Sequence, residues 1–254
     1  MRLLDGRTAI IYGGGGSIGG AIARAYGQQG ARVFLAGRTP VTLEAVAADI
    51  RAAGGDAQTA TVDALDEEAV EAHADAVAAT AGRIDISVNV IADSDVQGIP
   101  MADMSLDDYL SPVTTSVRSK FLTARAAARH MRPRGSGVIL TFGGSGDWAA
   151  ARRYRLGGLQ TAFEAVEAMR RQLASELGAY GIRVITLQTG GVPDSIPQSF
   201  EGRAAIEADL VGQTLLGRTA TFEDVGNVAV FAASDWARTI TGTAINITCG
   251  AVID

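Results

Sequence analysis

Short, continuously apolar segments alternate with longer amphipathic ones along almost the whole chain. The apolar runs are Ala9–Tyr12, Arg32–Ala36, Ala57–Val62, Ile84–Val90, Val138–Phe142, Arg183–Leu187 and Ala244–Thr248. Between them lie stretches rich in Ala, Glu and Arg, at about 18–29, 41–54, 66–82, 105–131, 157–180 and 222–235. Runs that are apolar at consecutive positions, separated by helices, predict parallel strands covered on both faces. The expected fold is therefore α/β: a doubly wound, seven-stranded parallel sheet with helices on both sides. No low-complexity tract or composition shift divides the 254 residues, so one domain over 1–254 is expected. The irregular stretch at about 193–216, with Pro193 and Pro197, predicts an insertion that serves as a substrate loop.

Composition narrows the function by exclusion. Apolar residues make up 47% and charged residues 20%, and the net charge is −6. An acidic chain gives no basic face for nucleic acid or for a membrane surface. Cys249 is the only cysteine, which leaves no disulfide framework or thiolate metal site within the chain and fits a reducing cytoplasm. No run reaches the ~20 apolar residues of a membrane span, and residues 1–7 carry no signal-peptide pattern. His73 and His130 lack the spacing of a metal site, so no metal is expected.

The chemistry begins at Gly13-Gly14-Gly15-Gly16-Ser17-Ile18-Gly19-Gly20, between the first apolar run and the first helix. Glycines allow close backbone approach to a pyrophosphate, and the helix N-terminus presents free N–H groups and a positive dipole end. This is the context of a Rossmann-like dinucleotide site. The second strand ends Ala36-Gly37-Arg38-Thr39. A carboxylate there would bond the ribose hydroxyls of NAD; Gly37 followed by Arg38 instead leaves room and a bidentate partner for a 2′-phosphate. NADP(H) is expected over NAD(H). The bland alternative makes Arg38 a solvated loop residue.

These motifs and those that follow them resemble the short-chain dehydrogenase/reductase family over essentially the whole chain. Asp63 follows the third strand, and Asp85-Ile86-Ser87-Val88-Asn89 forms the fourth. Then come Leu173-Ala174-Ser175-Glu176-Leu177, Gly181-Ile182-Arg183-Val184, Gly190-Gly191-Val192, Glu223-Asp224-Val225-Gly226 and Thr241-Gly242-Thr243. The resemblance implies a cofactor set of Gly13, Ser17, Ile18, Gly19, Asp63, Asn89 and Gly190, joined by Arg38. Asp63 would lie beside the adenine, Asn89 near the adenosine ribose, Gly190 near the nicotinamide, and Ile18 at the phosphate turn. It also implies a homo-oligomer, tetramer or dimer, built on the long helices at about 105–131 and 157–180.

The catalytic half departs from the family's pattern. Family members use a Tyr, a Lys four positions on with three residues between, a Ser and an Asn. Here those positions read Leu159, Phe163, Gly143 or Gly144 (with Ser145 adjacent), and Ser116. Two readings stand. Proton transfer has moved to Tyr154, with Arg152, Arg153 and Arg155 lowering its phenol pKa and Ser145 polarising the substrate. Asp147, Asp194 and Trp148 would then share the rim. Alternatively Tyr154 is a loop aromatic, and Leu159, Phe163, Val166, Met169 and Leu173 form a packing stripe against a second subunit. The function expected is an oxidoreductase with a non-standard site, moving hydride to a carbonyl or polarised C=C or C=N bond of a small molecule. The alternative is a non-redox lyase or isomerase, or a cofactor-binding pseudoenzyme.

Overall fold

The computed structural model describes residues 2–143 and 148–253, apart from the side chains of residues 148 and 149. Its strands are β1 (Thr8–Tyr12), β2 (Arg32–Gly37), β3 (Asp56–Thr61), β4 (Ile86–Asn89), β5 (Gly137–Gly143), β6 (Ile182–Gln188) and β7 (Thr243–Asn246). Its helices are α1 (Ser17–Gln28), α2 (Pro40–Ala52), α3 (Glu67–Ala81), α4 (Leu106–Met131), α5 (Trp148–Tyr154), α6 (Gly158–Leu177), α7 (Arg203–Gly212) and α8 (Phe222–Ala233). The strands form one parallel seven-stranded sheet in the order β3-β2-β1-β4-β5-β6-β7. The expected doubly wound sheet is therefore present.

Strand β1 shows why its sequence is apolar at every position. Ala9 and Ile11 pack into the core under α1, α2 and α8, while Ile10 and Tyr12 pack into the core under α3, α4 and α6. Successive side chains of a strand point to opposite faces, so a central strand between two helix layers has no polar side. At the sheet's base Asp85, buried at 3% exposure, accepts from the Thr8 N–H at 2.9 Å and pairs with Arg83. That bond sets β1 beside β4.

The differences from expectation lie at element edges and in the substrate half. Residues 84 and 85 precede β4, and the helix expected at 157–180 ends at Leu177 before a 3₁₀ turn, Gly178–Tyr180. The segment expected as a loop around Tyr154 is helix α5. The apolar stripe of α6 also divides. Leu159 and Phe163 line a cavity and Val166 joins the buried core, so the first two do not need a second subunit to explain them. Among the described residues no helix is long and apolar enough to cross a membrane, and none of the His, Cys, Asp and Glu residues cluster as metal ligands.

His73 on α3 sits against Tyr12, ring centroids 5.6 Å apart in an edge-on contact, with Nδ1 3.4 Å from the phenol oxygen. Burial disfavours the imidazolium and pushes the His73 pKa down from 6.5 to about 4. Between those values the unfolded chain binds a proton that the native protein refuses, so stability falls as pH drops through this window. Urea unfolding should show a loss of about 2 kcal/mol from this group between roughly pH 7 and pH 5. His73→Gln should remove that increment, seen as a smaller pH dependence of the unfolding midpoint than in the wild type.

Candidate active site

In the order β2-β1-β4-β5, the chain direction of the crossovers reverses between β1 and β4. Ligands of such sheets bind beyond the strand carboxyl ends at this point. There the glycine turn leaves β1 and residues 90–95 leave β4. These two segments border a groove of ≈ 360 Å³ on one side and a cavity of ≈ 580 Å³ on the other.

The turn is built for close approach. Gly13 is left-handed (φ 85), and a Cβ on it would stand 2.7 Å from the Val90 carbonyl oxygen. The Gly13 and Gly14 N–H groups both donate to the Ala36 carbonyl, at 2.8 and 3.2 Å, which docks the turn onto the end of β2. Gly19 packs on the Gly13 carbonyl: a Cβ there would lie 2.8 Å from its carbon. Helix α1 starts at Ser17 after Gly16 with no side-chain cap and no acidic residue in its first turn. Its leading N–H groups and dipole are thus left for an anion, the arrangement a pyrophosphate requires.

Gly13, Gly15, Gly16, Arg38, Thr39, Thr42 and Asp63 line the smaller groove. Thr39 is the N-cap of α2 and Pro40 its first residue, which fixes Arg38 at the strand-to-helix turn. Arg38 is exposed and has no hydrogen-bond or ion-pair partner among the described residues. Asp63 accepts from the Leu65 N–H at 3.0 Å. Asn89 sits differently from the position inferred for it. It is 2% exposed, donates to Thr123 Oγ1 at 3.0 Å and accepts from the Ile91 N–H at 3.1 Å. Its side chain shapes the loop, and Val90, Ile91 and Ala92 are the residues that border the groove.

Ile18 and Gly190 line the larger cavity, as do Leu159, Phe163 and Tyr154. The Tyr154 phenol donates to Asp209 Oδ2 on α7 and accepts from Gln213 Nε2 at 3.1 Å. The Arg153 charge does pull the Tyr154 pKa down, as expected, but it is outweighed and the net shift is upward. Burial, then the bond to the Asp209 carboxylate, raises it, because both favour the neutral phenol. The Arg153 charge is spent on Asp209, and Arg155 donates to the Gly98 carbonyl at 3.2 Å. Asp194 lies outside the cavity lining and accepts from the Phe222 N–H at 3.3 Å. Gly144, Ser145, Asp147 and the Trp148 side chain lie outside the described residues.

Ser116 joins a buried cluster with Lys120 and Asp93, two residues that no motif in the sequence marks. Lys120, 2% exposed and the only lysine of the chain, donates to Ser116 Oγ at 2.7 Å and to Asp93 Oδ1 at 3.2 Å. Lys120 lies one helical turn beyond Ser116, so the two share a face of α4. A single lysine at this spacing was the available signal. Its partner Asp93 comes from another element and could not be paired from sequence.

The whole of this architecture is that of a nucleotide-dependent oxidoreductase. The chain belongs to the short-chain dehydrogenase/reductase family, and the family profile described as Enoyl-(Acyl carrier protein) reductase matches residues 14–251. It is 31% identical over 251 residues to D-threitol dehydrogenase of Mycolicibacterium smegmatis, covering 98% of this chain and 94% of that one. It is likewise 31% identical to secoisolariciresinol dehydrogenase of Forsythia intermedia, covering 95% and 87%. Among solved structures, a short-chain type dehydrogenase/reductase from Mycobacterium ulcerans superposes with a TM-score of 0.87 at 27% identity, covering 98% and 90%. An NAD+-bound xylitol dehydrogenase shares the fold with a TM-score of 0.85 at 23% identity, over 97% of this chain and 99% of that one. The protein is thus an oxidoreductase of this family, whose dehydrogenases use NAD(H) or NADP(H), and the non-redox alternative loses its ground.

Proposed function

We propose that the protein is an NADP(H)-dependent reductase whose proton-transfer groups are non-standard, acting on a carbonyl or polarised C=C or C=N bond of a small molecule. The observation that carries this reading is Arg38, without a partner among the described residues and beside the groove where a carboxylate would serve NAD. Gly13, Ile18, Gly19 and Gly190, with the α1 N-terminus, would hold the cofactor's phosphates and nicotinamide, and Asp63 the adenine. When bound, NADPH supplies the hydride.

The chain's own residues then orient the substrate and manage its proton. Leu159 and Phe163 give the cavity apolar walls and cannot transfer protons. Tyr154 is the proton donor of this proposal. Its proton, retained through burial and Asp209, becomes available when a substrate oxygen replaces the carboxylate as acceptor. Ser145 is the proposed hydroxyl that polarises the substrate. Residues 193–216 act as the substrate loop of a single domain over 1–254, and α7 within them carries Asp209. The proposed assembly is a homo-oligomer, tetramer or dimer, working in the cytoplasm.

The test is NADPH consumption over carbonyl, enone and imine substrates, with Tyr154→Phe and Ser145→Ala beside the wild type. Tyr154→Phe should lower kcat by roughly a hundredfold or more on ketones, the usual contribution of a general acid, with the NADPH Kd unchanged. Unchanged ketone turnover would remove Tyr154 from the mechanism.

A further inference from the structure

The larger cavity has a polar wall built on a buried ion pair. Asp93 borders the cavity, and its Oδ1 is held by the ammonium of Lys120, which in turn rests on the fully buried Ser116. A charge as buried as Lys120 is tolerated only when paired and hydrogen-bonded, so the pair also fixes where the Asp93 carboxylate stands. Lys120 approaches from α4, behind Asp93, and does not itself line the cavity. Any group inside the cavity therefore meets the carboxylate before the ammonium. Asp95, which accepts from Gln97 Nε2 at 2.6 Å, adds a second carboxylate to the same wall.

No Lys or Arg is found among the described lining residues. The remaining ionisable group is the Tyr154 phenol, engaged by Asp209 and Gln213. Lys120 offsets one of the two carboxylates, so the wall keeps the negative charge of the other and is poorly matched to an alkoxide, the product of hydride addition to a neutral carbonyl, because like charge repels it. It is well matched to a reaction in which positive charge disappears.

We propose that the natural substrate brings its own positive charge: an iminium ion, with Asp93 as the carboxylate that meets it. This rests on the NADP(H)-reductase reading and names its substrate class. In the step, a hydride and its electron pair form the new C–H bond at the iminium carbon. The C=N π pair would move onto nitrogen and no proton would be taken up, with bound NADPH supplying the hydride as the two-electron reductant. Product is a neutral amine, so the reaction needs no general acid, and the Tyr154 proton is left for neutral substrates.

Binding can be tested without turnover. Calorimetry of the full chain with tetrahydroisoquinoline, a cation at neutral pH, and with the neutral tetralol should show the amine binding at least about tenfold tighter. The double variant Asp93→Asn/Lys120→Met removes the pair without leaving a lone buried charge. It should reduce that preference at least about fivefold while tetralol binding stays within about twofold. With NADPH, turnover of an N-methyl-dihydroisoquinolinium should be insensitive to Tyr154→Phe, whereas tetralone reduction should not be. Equal binding of amine and alcohol by the wild type, or an unchanged preference in the double variant, would overturn the proposal. Failure of NADPH to bind or react would defeat the reductase reading alone, since the calorimetric comparison decides the charge preference by itself.

Discussion

Gly19→Ala should eliminate measurable NADP(H) binding and lower the melting temperature by roughly 10 °C, the equivalent of about 3 kcal/mol in a chain of this size. The added methyl would lie 2.8 Å from the Gly13 carbonyl carbon and 2.9 Å from Val90 Cγ2. Neither neighbour can yield cheaply. Gly13 is itself wedged against the Val90 carbonyl and tied by its N–H to Ala36, so relief requires α1 to move off the turn. That movement displaces the helix N-terminus from the position where a pyrophosphate would meet it. Gly178→Ala is the matched control. It sits in αR geometry after α6 with nothing within 4 Å of the new methyl, so its melting temperature should stay level or rise slightly. Thermal melts and NADPH fluorescence titrations on the two variants decide the matter.

Arg38→Ala should weaken NADPH binding by roughly thirty- to a hundredfold, the loss of a charge-assisted bidentate contact of about 2–3 kcal/mol, while NADH affinity changes by less than about threefold. The guanidinium has no partner to lose among the described residues, so the fold should be unaffected and the melting temperature unchanged. The loss should shrink as salt is raised, because Arg38 is exposed and its field is screened. Arg38→Lys should recover only part of the affinity, since an ammonium gives a point charge without the planar fork. Equal losses for the two cofactors would exclude a contact to the 2′-phosphate and return Arg38 to the role of a solvated loop residue.

The parts of the molecule legible in the sequence are those whose physics is local. A buried parallel strand must be apolar at each position, and so β1, β2, β5 and β6 announced themselves. The phosphate turn was equally legible, because glycines between a strand and a helix answer a backbone requirement that no side chain can satisfy. Strand β3 was the least obvious of these, with Asp56, Gln58 and Thr61 at the sheet's edge where one side meets solvent. Helix α5 is not legible because its seven residues are too few to show a period.

The substrate half depended on contacts between distant segments. Tyr154 and Asp209 are 55 residues apart, and burial of the phenol, then its bond to Asp209, raised its pKa where the neighbouring arginines alone would lower it. Asp93 and Lys120 are 27 apart, on the loop after β4 and on α4, and nothing in either local pattern joins them. Asn89 was identified by its motif, but which way its amide faced depended on Thr123 in a neighbouring helix. The sequence by itself determined the sheet, the helix layers and the turn for a dinucleotide, since periodicity and glycine placement act within a few residues. Only the tertiary structure decided which charges border the cavity and which are cancelled, because electrostatic character depends on neighbours in space and on burial.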